Sequence, residues 1–316
     1  MRIEAPQIDL GCSLPSLAER IGNTPLVRLD RIVHDLPGIT LLGKAEWANP
    51  GGSVKDRAAS AMVRDAIQRR KLVPGKTLLD ATSGNNGISL AMLGAALGFP
   101  VQLTVPSSIS PERKRIFAAF GARVEWTDPA EGSDGAIRRA REMAGNDPDR
   151  FCYLDQYSND ANWQAHYQTT GPEIWEQTAG QVTHFVAGVG SSGTFMGTAR
   201  RLKELCPALQ AISLLPNSPA HGIKGLRHMG SSIVPAIYDP RLADRTLEIG
   251  VEEARAMATQ LAREEGLLVG LSAAAAVAAC AGIAREEAAA GRGAVLVTVL
   301  PDAADSSLSK RLWKET

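Results

Sequence analysis

The chain has 316 residues, of which 44% are hydrophobic and 22% charged, the balance of a globular protein with two lobes or one large α/β unit. Lysine plus arginine and aspartate plus glutamate each number 34, and no basic run exceeds Arg69-Arg70-Lys71, so nothing points to nucleic acid or another polyanion. The four cysteines, Cys12, Cys152, Cys206 and Cys280, show no CxxC spacing, which argues against a metal site or a disulfide framework and for a reducing cytoplasm.

The N-terminus lacks a basic start followed by an apolar core, and no apolar run is long enough to span a bilayer. The chain is therefore expected to be neither exported nor tethered to a membrane.

The first informative stretch is NPGGSVKDR, Asn49 to Arg57. Ser53 with Asp56 three residues later reads as a capping box, which puts Lys55 in the first turn of a helix. The helix dipole disfavours a cation there. That lowers the lysine's pKa and favours the neutral amine that Schiff-base chemistry requires. A solvated surface lysine is the plain alternative.

From residue 77 the pattern alternates. TLLDA reads as a strand, Ile88 to Leu97 as a helix ended by Gly98, and VQLTV as a strand. Between the first strand and helix lies TSGNNG, Thr82 to Gly87, with hydroxyls, amides and free N–H groups suited to a carboxylate or a phenolate-like oxygen. It is equally compatible with an elaborate helix cap. Pro111 opens the next helix with Ser110 as its cap, and ARVEW follows as a strand. This order predicts a mostly parallel sheet covered by helices.

The second half repeats the logic with HFVAGV as a strand, Thr194 to Leu205 as a helix, QAISLLP as a strand and VEEARAMATQLAREEG as a helix. An alanine-rich helix from about Ala273 and the buried-type strand AVLVTVL complete it. Two α/β lobes follow, with a seam near residues 155–170 and a ligand cleft between them at the carboxyl ends of strands.

Two further glycine-rich turns follow strands in this half. GVGSSGT, Gly188 to Thr194, brings backbone N–H groups and three hydroxyls to a helix N-terminus, a phosphate cradle without the GK[ST] ending of a Walker A loop. In GLSAAAA, from Gly270, Ser272 is the only hydroxyl, and a simple N-cap serine is its plain reading.

Together these segments resemble the fold-type II pyridoxal-phosphate enzymes, the tryptophan synthase β-like class. More narrowly, the chain is similar to the cysteine synthase (O-acetylserine or O-phosphoserine sulfhydrylase) and cystathionine β-synthase family. The likeness runs from IGNTPLVRL at Ile21 to VTVLPD at Val297, and NPGGSVKDR with TTGPEIW at Thr169 is its most specific part.

The resemblance implies that Lys55 carries pyridoxal 5'-phosphate as a Schiff base. Gly190, Ser191, Ser192, Gly193 and Thr194 would hold the phosphate, Asn85 the ring hydroxyl, and Ser272 would face the pyridine nitrogen. Thr82, Ser83, Asn85 and Asn86 would take the substrate carboxylate, helped by Gln156. Facing a neutral hydroxyl, the ring is a weaker electron sink, which favours β-elimination over racemisation or transamination.

It also implies two lobes, 48–158 carrying the lysine and carboxylate loop, and 12–47 plus 159–316 carrying the phosphate loop and Ser272. The implied activity is β-replacement on O-acetylserine or O-phosphoserine with sulfide or another sulfur donor, giving cysteine, with Lys55 as base at the α-carbon. Homocysteine, thiosulfate or an amine are alternative nucleophiles, as in diaminopropionate-type synthases, and a low-turnover cofactor-binding regulator is a third reading. The resemblance further implies a cytoplasmic homodimer that binds small molecules only.

Three departures stand out. Asn86 replaces the family's threonine, Ala274 replaces a glycine, and DAADSSLS, Asp302 to Ser309, replaces a segment of the DRGDRYLS type. HGIKGLRHM, His221 to Met229, resembles the cysteine synthase B and O-phosphoserine branches, in which an arginine matching Arg227 contacts an anion near the substrate entrance. A surface arginine is the alternative.

Overall fold

The strands fall into two sheets. The computed structural model describes residues 17–304. Cys12 and residues 12–16 and 305–316 of the expected larger lobe, the latter including 305–309 of the late segment, lie outside the described residues.

The first half contains β1 (Leu26–Arg28), β2 (Ile39–Ala45), α1 (Lys55–Gln68), β3 (Thr77–Ala81), α2 (Asn85–Leu97) and β4 (Val101–Pro106). It continues with α3 (Pro111–Ala119), β5 (Arg123–Thr127), α4 (Gly132–Asn146) and β6 (Phe151–Tyr153). The second half contains α5 (Asp160–Ala165), α6 (Gly171–Gln177), β7 (His184–Gly188), α7 (Gly193–Leu205) and β8 (Gln210–Pro216). It ends with β9 (Arg245–Ile249), α8 (Val251–Gln260), α9 (Leu271–Ala289) and β10 (Ala294–Leu300).

One sheet has the order β5-β4-β3-β6 and is parallel throughout. The other has the order β1-β2-β10-β7-β8-β9, with β1 antiparallel and all other pairs parallel. Strand β10, nearly continuous in apolar residues, and β4, in which Gln102 and Thr104 alternate with apolar positions, are buried along almost their whole length, as central parallel strands covered on both faces are. The α/β architecture expected from the alternating pattern is present. Among the described residues, no helix is long and apolar enough to cross a membrane.

Local chemistry sets the helix ends. Ser110 accepts the Arg113 N–H at the start of α3, and Gly98 closes α2 in the left-handed conformation (φ 77°). The alanine run Ala273–Ala276 is helical and at most 1% exposed, so these small side chains let α9 sink into the core on all sides.

The capping box before α1 is only half formed. Ser53 Oγ accepts the Lys55 N–H at 3.3 Å, but Val54 is the cap residue. Asp56 does not reach back to Ser53. Its carboxylate instead accepts from the Gly51 N–H and the Ser89 hydroxyl, which ties the loop before α1 to α2.

What holds α1 in place is a buried ionic network. Arg57, with a side chain 1% exposed, donates Nε and Nη2 to both oxygens of Glu46 at 2.7 and 2.8 Å. It also donates Nη1 and Nη2 to both oxygens of Glu173, each at 2.7 Å. Lys44, fully buried, pairs with Glu173 at 2.7 Å, and Thr24 and Thr169 accept further Arg57 bonds. Two cations thus face two carboxylates.

Burial alone would raise the Glu173 pKa, but the hydrogen bonds and charges of Arg57 and Lys44 pull it down to about 2. The arrangement is favourable only while complete, because a single deletion strands a charge in a low dielectric. Arg57→Ala is expected to cost about 3–5 kcal/mol, read as a lower urea midpoint at pH 7; a loss under about 1 kcal/mol would contradict this account.

Candidate active site

One cleft collects nearly every residue singled out in the sequence. Lys55, Thr82, Ser83, Asn85, Asn86, Gln156, Gly190, Ser191, Ser192, Thr194, Arg227 and Ser272 all border it. Gly193 does not, because its Cα faces Asn162, and an added Cβ would overlap Asn162 Oδ1.

Lys55 is half-buried in the first turn of α1. Its pKa is lowered, chiefly by burial, against the opposing pull of Asp302 and then Glu46. The direction matches the expectation, but its cause is desolvation of the amine rather than the helix dipole.

The loop Thr82–Gly87 is shaped from within. Thr82 Oγ1 accepts the N–H groups of Gly84 and Gly87, each at 3.1 Å, so this hydroxyl is committed to the turn. Asn86 donates its amide to Asp80 Oδ2 at 2.9 Å, and Gln156 donates its amide to the Ala81 carbonyl at 2.8 Å. Both amides support the loop from behind, while Ser83 is exposed. Asn85 Nδ2 donates to Asp302 Oδ2 at 2.7 Å.

The turn Gly188–Thr194 leads into the 13-residue helix α7, whose first N–H groups have no intrahelical acceptor. Ser192 sits at φ 71°, which turns successive N–H groups toward one side. Gly190 is required, because a Cβ there would fall on the Gly225 carbonyl oxygen. Gly188, Gly190 and Gly193 also match the GxGxxG spacing of dinucleotide sites, so spacing alone does not define this ligand.

Asn162 and His166 brace this turn. Asn162 donates to Ser191 Oγ at 3.2 Å and to the Gln156 carbonyl, and His166 Nε2 lies 3.3 Å from Thr194 Oγ1. Burial first, then the charges of Arg57 and Lys55, push the His166 pKa well below its ordinary value, so its ring is neutral at pH 7.

Ser272 does not cap α9. The cap residue is Gly270, which makes no side-chain cap bond, and the Ser272 hydroxyl borders the cleft with the residue 7% exposed. Ala274 is fully buried in the helix and does not border the cleft, so that departure from the family pattern leaves the walls unchanged.

Two more residues, Arg113 and Asp302, border the cleft, a place that no local signal assigns to them. Arg113 on α3 is 8% exposed and donates Nη1 to the Ser83 carbonyl at 3.3 Å; in the run PERKR it reads as one surface cation among several. Asp302 joins the bridge to Ser53, holds Asn85 and acts electrostatically on Lys55. The motif VTVLPD ended on it but gave no sign of its direction.

Arg227 is 7% exposed, which sets aside a surface role. Its Nη1 pairs with Asp134 Oδ1 at 2.7 Å and donates to the Ile233 carbonyl at 2.9 Å. The guanidinium carbon lies 4.7 Å from the Tyr157 ring centroid.

The model of the pyridoxal-phosphate dependent enzyme family matches residues 17–302. The chain belongs to this family. It is 49% identical over 302 residues to cysteine synthase of Aquifex aeolicus, covering 95% of this chain and 92% of that protein. It is 42% identical over 299 residues to cysteine synthase B of Pseudomonas aeruginosa, covering 95% and 97%. The solved cysteine synthase of Entamoeba histolytica superposes with a TM-score of 0.89 at 33% identity, covering 100% of this chain and 94% of that one.

The residues present fit pyridoxal phosphate. The helix start with its glycine-enforced close approach suits a phosphate dianion. A desolvated lysine suits the aldehyde, and the Ser272 hydroxyl in the same cleft suits a ring nitrogen. Gly190→Ala is expected to drive the Gly225 segment outward and to weaken cofactor retention at least tenfold, read by absorbance after dialysis. Retention equal to wild type would show that this contact is not needed.

Asp80 gives a second test. It is fully buried, accepts from Ala81 N–H and Asn86, and burial pushes its pKa up from 3.8 to about 7. A raised carboxyl pKa means that the folded state holds the proton more tightly, so wild-type stability declines as pH rises through this window. An asparagine still accepts from Asn86 but does not titrate. The stability of Asp80→Asn relative to wild type is therefore expected to grow between pH 3.8 and about 7 and to level off above it, read as urea midpoints across pH.

Proposed function

We propose that this enzyme makes L-cysteine from O-acetyl-L-serine and sulfide, by β-replacement, as a pyridoxal-phosphate-dependent transferase. The observation that carries the reading is the desolvated amine of Lys55 in one cleft with a phosphate-binding helix start and a carboxylate loop. Two relatives, 49% and 42% identical along nearly the whole chain, are cysteine synthases.

In this reading the bound cofactor supplies an aldehyde for amines and a ring that draws off the electrons left when the α-proton departs. The chain supplies the rest. The N–H groups and hydroxyls of 190–194 hold the phosphate, and Asn85 and Ser272 address the ring. The N–H groups and Ser83 of the Thr82–Gly87 loop take the substrate carboxylate, held in shape by Asn86, Asp80 and Gln156.

As a free amine, Lys55 Nζ would take the α-proton of the bound amino acid. Its lowered pKa leaves more of the free base at neutral pH. The acetyl ester would leave as acetate, hydrosulfide would add at the β-carbon, and the Lys55 ammonium would return its proton to the α-carbon. The reading divides the chain into lobes 48–158 and 12–47 plus 159–316, and takes it as a cytoplasmic homodimer.

Purified wild type is expected to be yellow, and borohydride should fix the cofactor to the peptide that contains Lys55. Lys55→Ala should be colourless and lose cysteine formation from O-acetylserine and sulfide by at least about 10³-fold. A Lys55→Ala protein that still carries a reducible covalent link, or wild type that prefers homocysteine or thiosulfate to sulfide, would defeat the reading.

A further inference from the structure

Four cations border the cleft: Lys55, Arg113, Lys224 and Arg227. Lys55 is desolvated, Arg113 donates to the Ser83 carbonyl behind the carboxylate loop, and Lys224 is exposed to solvent. Arg227 is buried, and Asp134 matches its charge at 2.7 Å.

Asp134 is the third residue of α4, which packs on the four-stranded sheet. Arg227 and Ile233 belong to the connection between β8 and β9 of the other sheet. Asp134 Oδ1 accepts Arg227 Nη1 at 2.7 Å, and Asp134 Oδ2 accepts the Ile233 N–H at 2.9 Å. The Ile233 carbonyl in turn accepts Arg227 Nη1 at 2.9 Å. The guanidinium is thereby turned toward its own sheet connection and α4, with its charge cancelled and its plane fixed against Tyr157.

We propose that Asp134 selects the leaving group by holding Arg227 as a neutralised pair in the cleft wall. The inference rests on the β-replacement reading and deepens it. An acetyl ester carries no charge, whereas a phosphate ester carries about −1.5 to −2 near pH 7 and three strong acceptor oxygens. A free buried guanidinium would favour the phosphate ester strongly. A guanidinium already satisfied by a carboxylate gives it no such advantage. Asp134 is accordingly a positioning residue that acts through Arg227.

The test compares O-acetylserine with O-phosphoserine in wild type, Asp134→Asn, and the double variant Asp134→Asn with Arg227→Gln. Acetate and phosphate release are measured alongside cysteine. Asparagine keeps the shape and one acceptor for the Ile233 N–H, and Asp134→Ser serves as a second variant should Asp134→Asn fold poorly. The ratio of kcat/KM for the phosphate over the acetate ester is expected to rise at least about tenfold, the scale of one hydrogen bond to a charged group. The double variant should return that ratio to the wild-type value.

A loss of overall stability would lower both rates without moving their ratio. An unchanged ratio in both single variants overturns the proposal. So does a gain that persists in the double variant, which would assign the effect to Lys224 or Arg113. Ester cleavage without cysteine formation in wild type would refute the proposed function while leaving the leaving-group ratio readable.

Discussion

The position of Lys55 depends on a residue that never reaches the cleft. Arg57, two positions on, is clamped between Glu46 and Glu173 with almost no exposure, and this sets where α1 begins and how its first turn faces. A charge cluster this deep has few alternative arrangements, because any shift leaves a carboxylate or a guanidinium unpaired in a low dielectric. The amine is held in place by an interaction in which it takes no part.

That network also accounts for the most diagnostic motifs. Thr24 comes from IGNTPLVRL, Asn49 and Arg57 from NPGGSVKDR, and Thr169 and Glu173 from TTGPEIW, and all five join Glu46 in one hydrogen-bonded set. Segments far apart in the chain are thus recognisable less for the substrate they touch than for the buried charges they share. A family signature of this kind reports the scaffold first and the chemistry second.

How far the sequence could be read follows from the same distinction. Strands β3, β4, β5, β7, β8 and β10 and the helices between them were legible because apolar runs, glycine stops and the Ser110 cap are local signals. The short strands β1, β6 and β9 carry only three to five residues and too little pattern to stand out. Lys55, the glycine turns and Ser272 could be picked out by residue type and setting. The inward turn of the Asn86 and Gln156 amides, the use of Asp56 by Gly51 and Ser89, and the cleft positions of Arg113 and Asp302 depend on partners distant in sequence. No local rule reveals those.

The cleft has walls of two kinds. Where Gly190 meets the Gly225 carbonyl, main chain lies against main chain, and no rotamer exists that could absorb a change on either side. Where Arg227 meets Asp134, both partners are side chains whose charge and reach vary with a single codon. The cofactor seat can therefore drift only with the backbone itself, while the opposite wall can be retuned one residue at a time. Divergence among such enzymes should be slow at the first wall and quick at the second, within a single cavity.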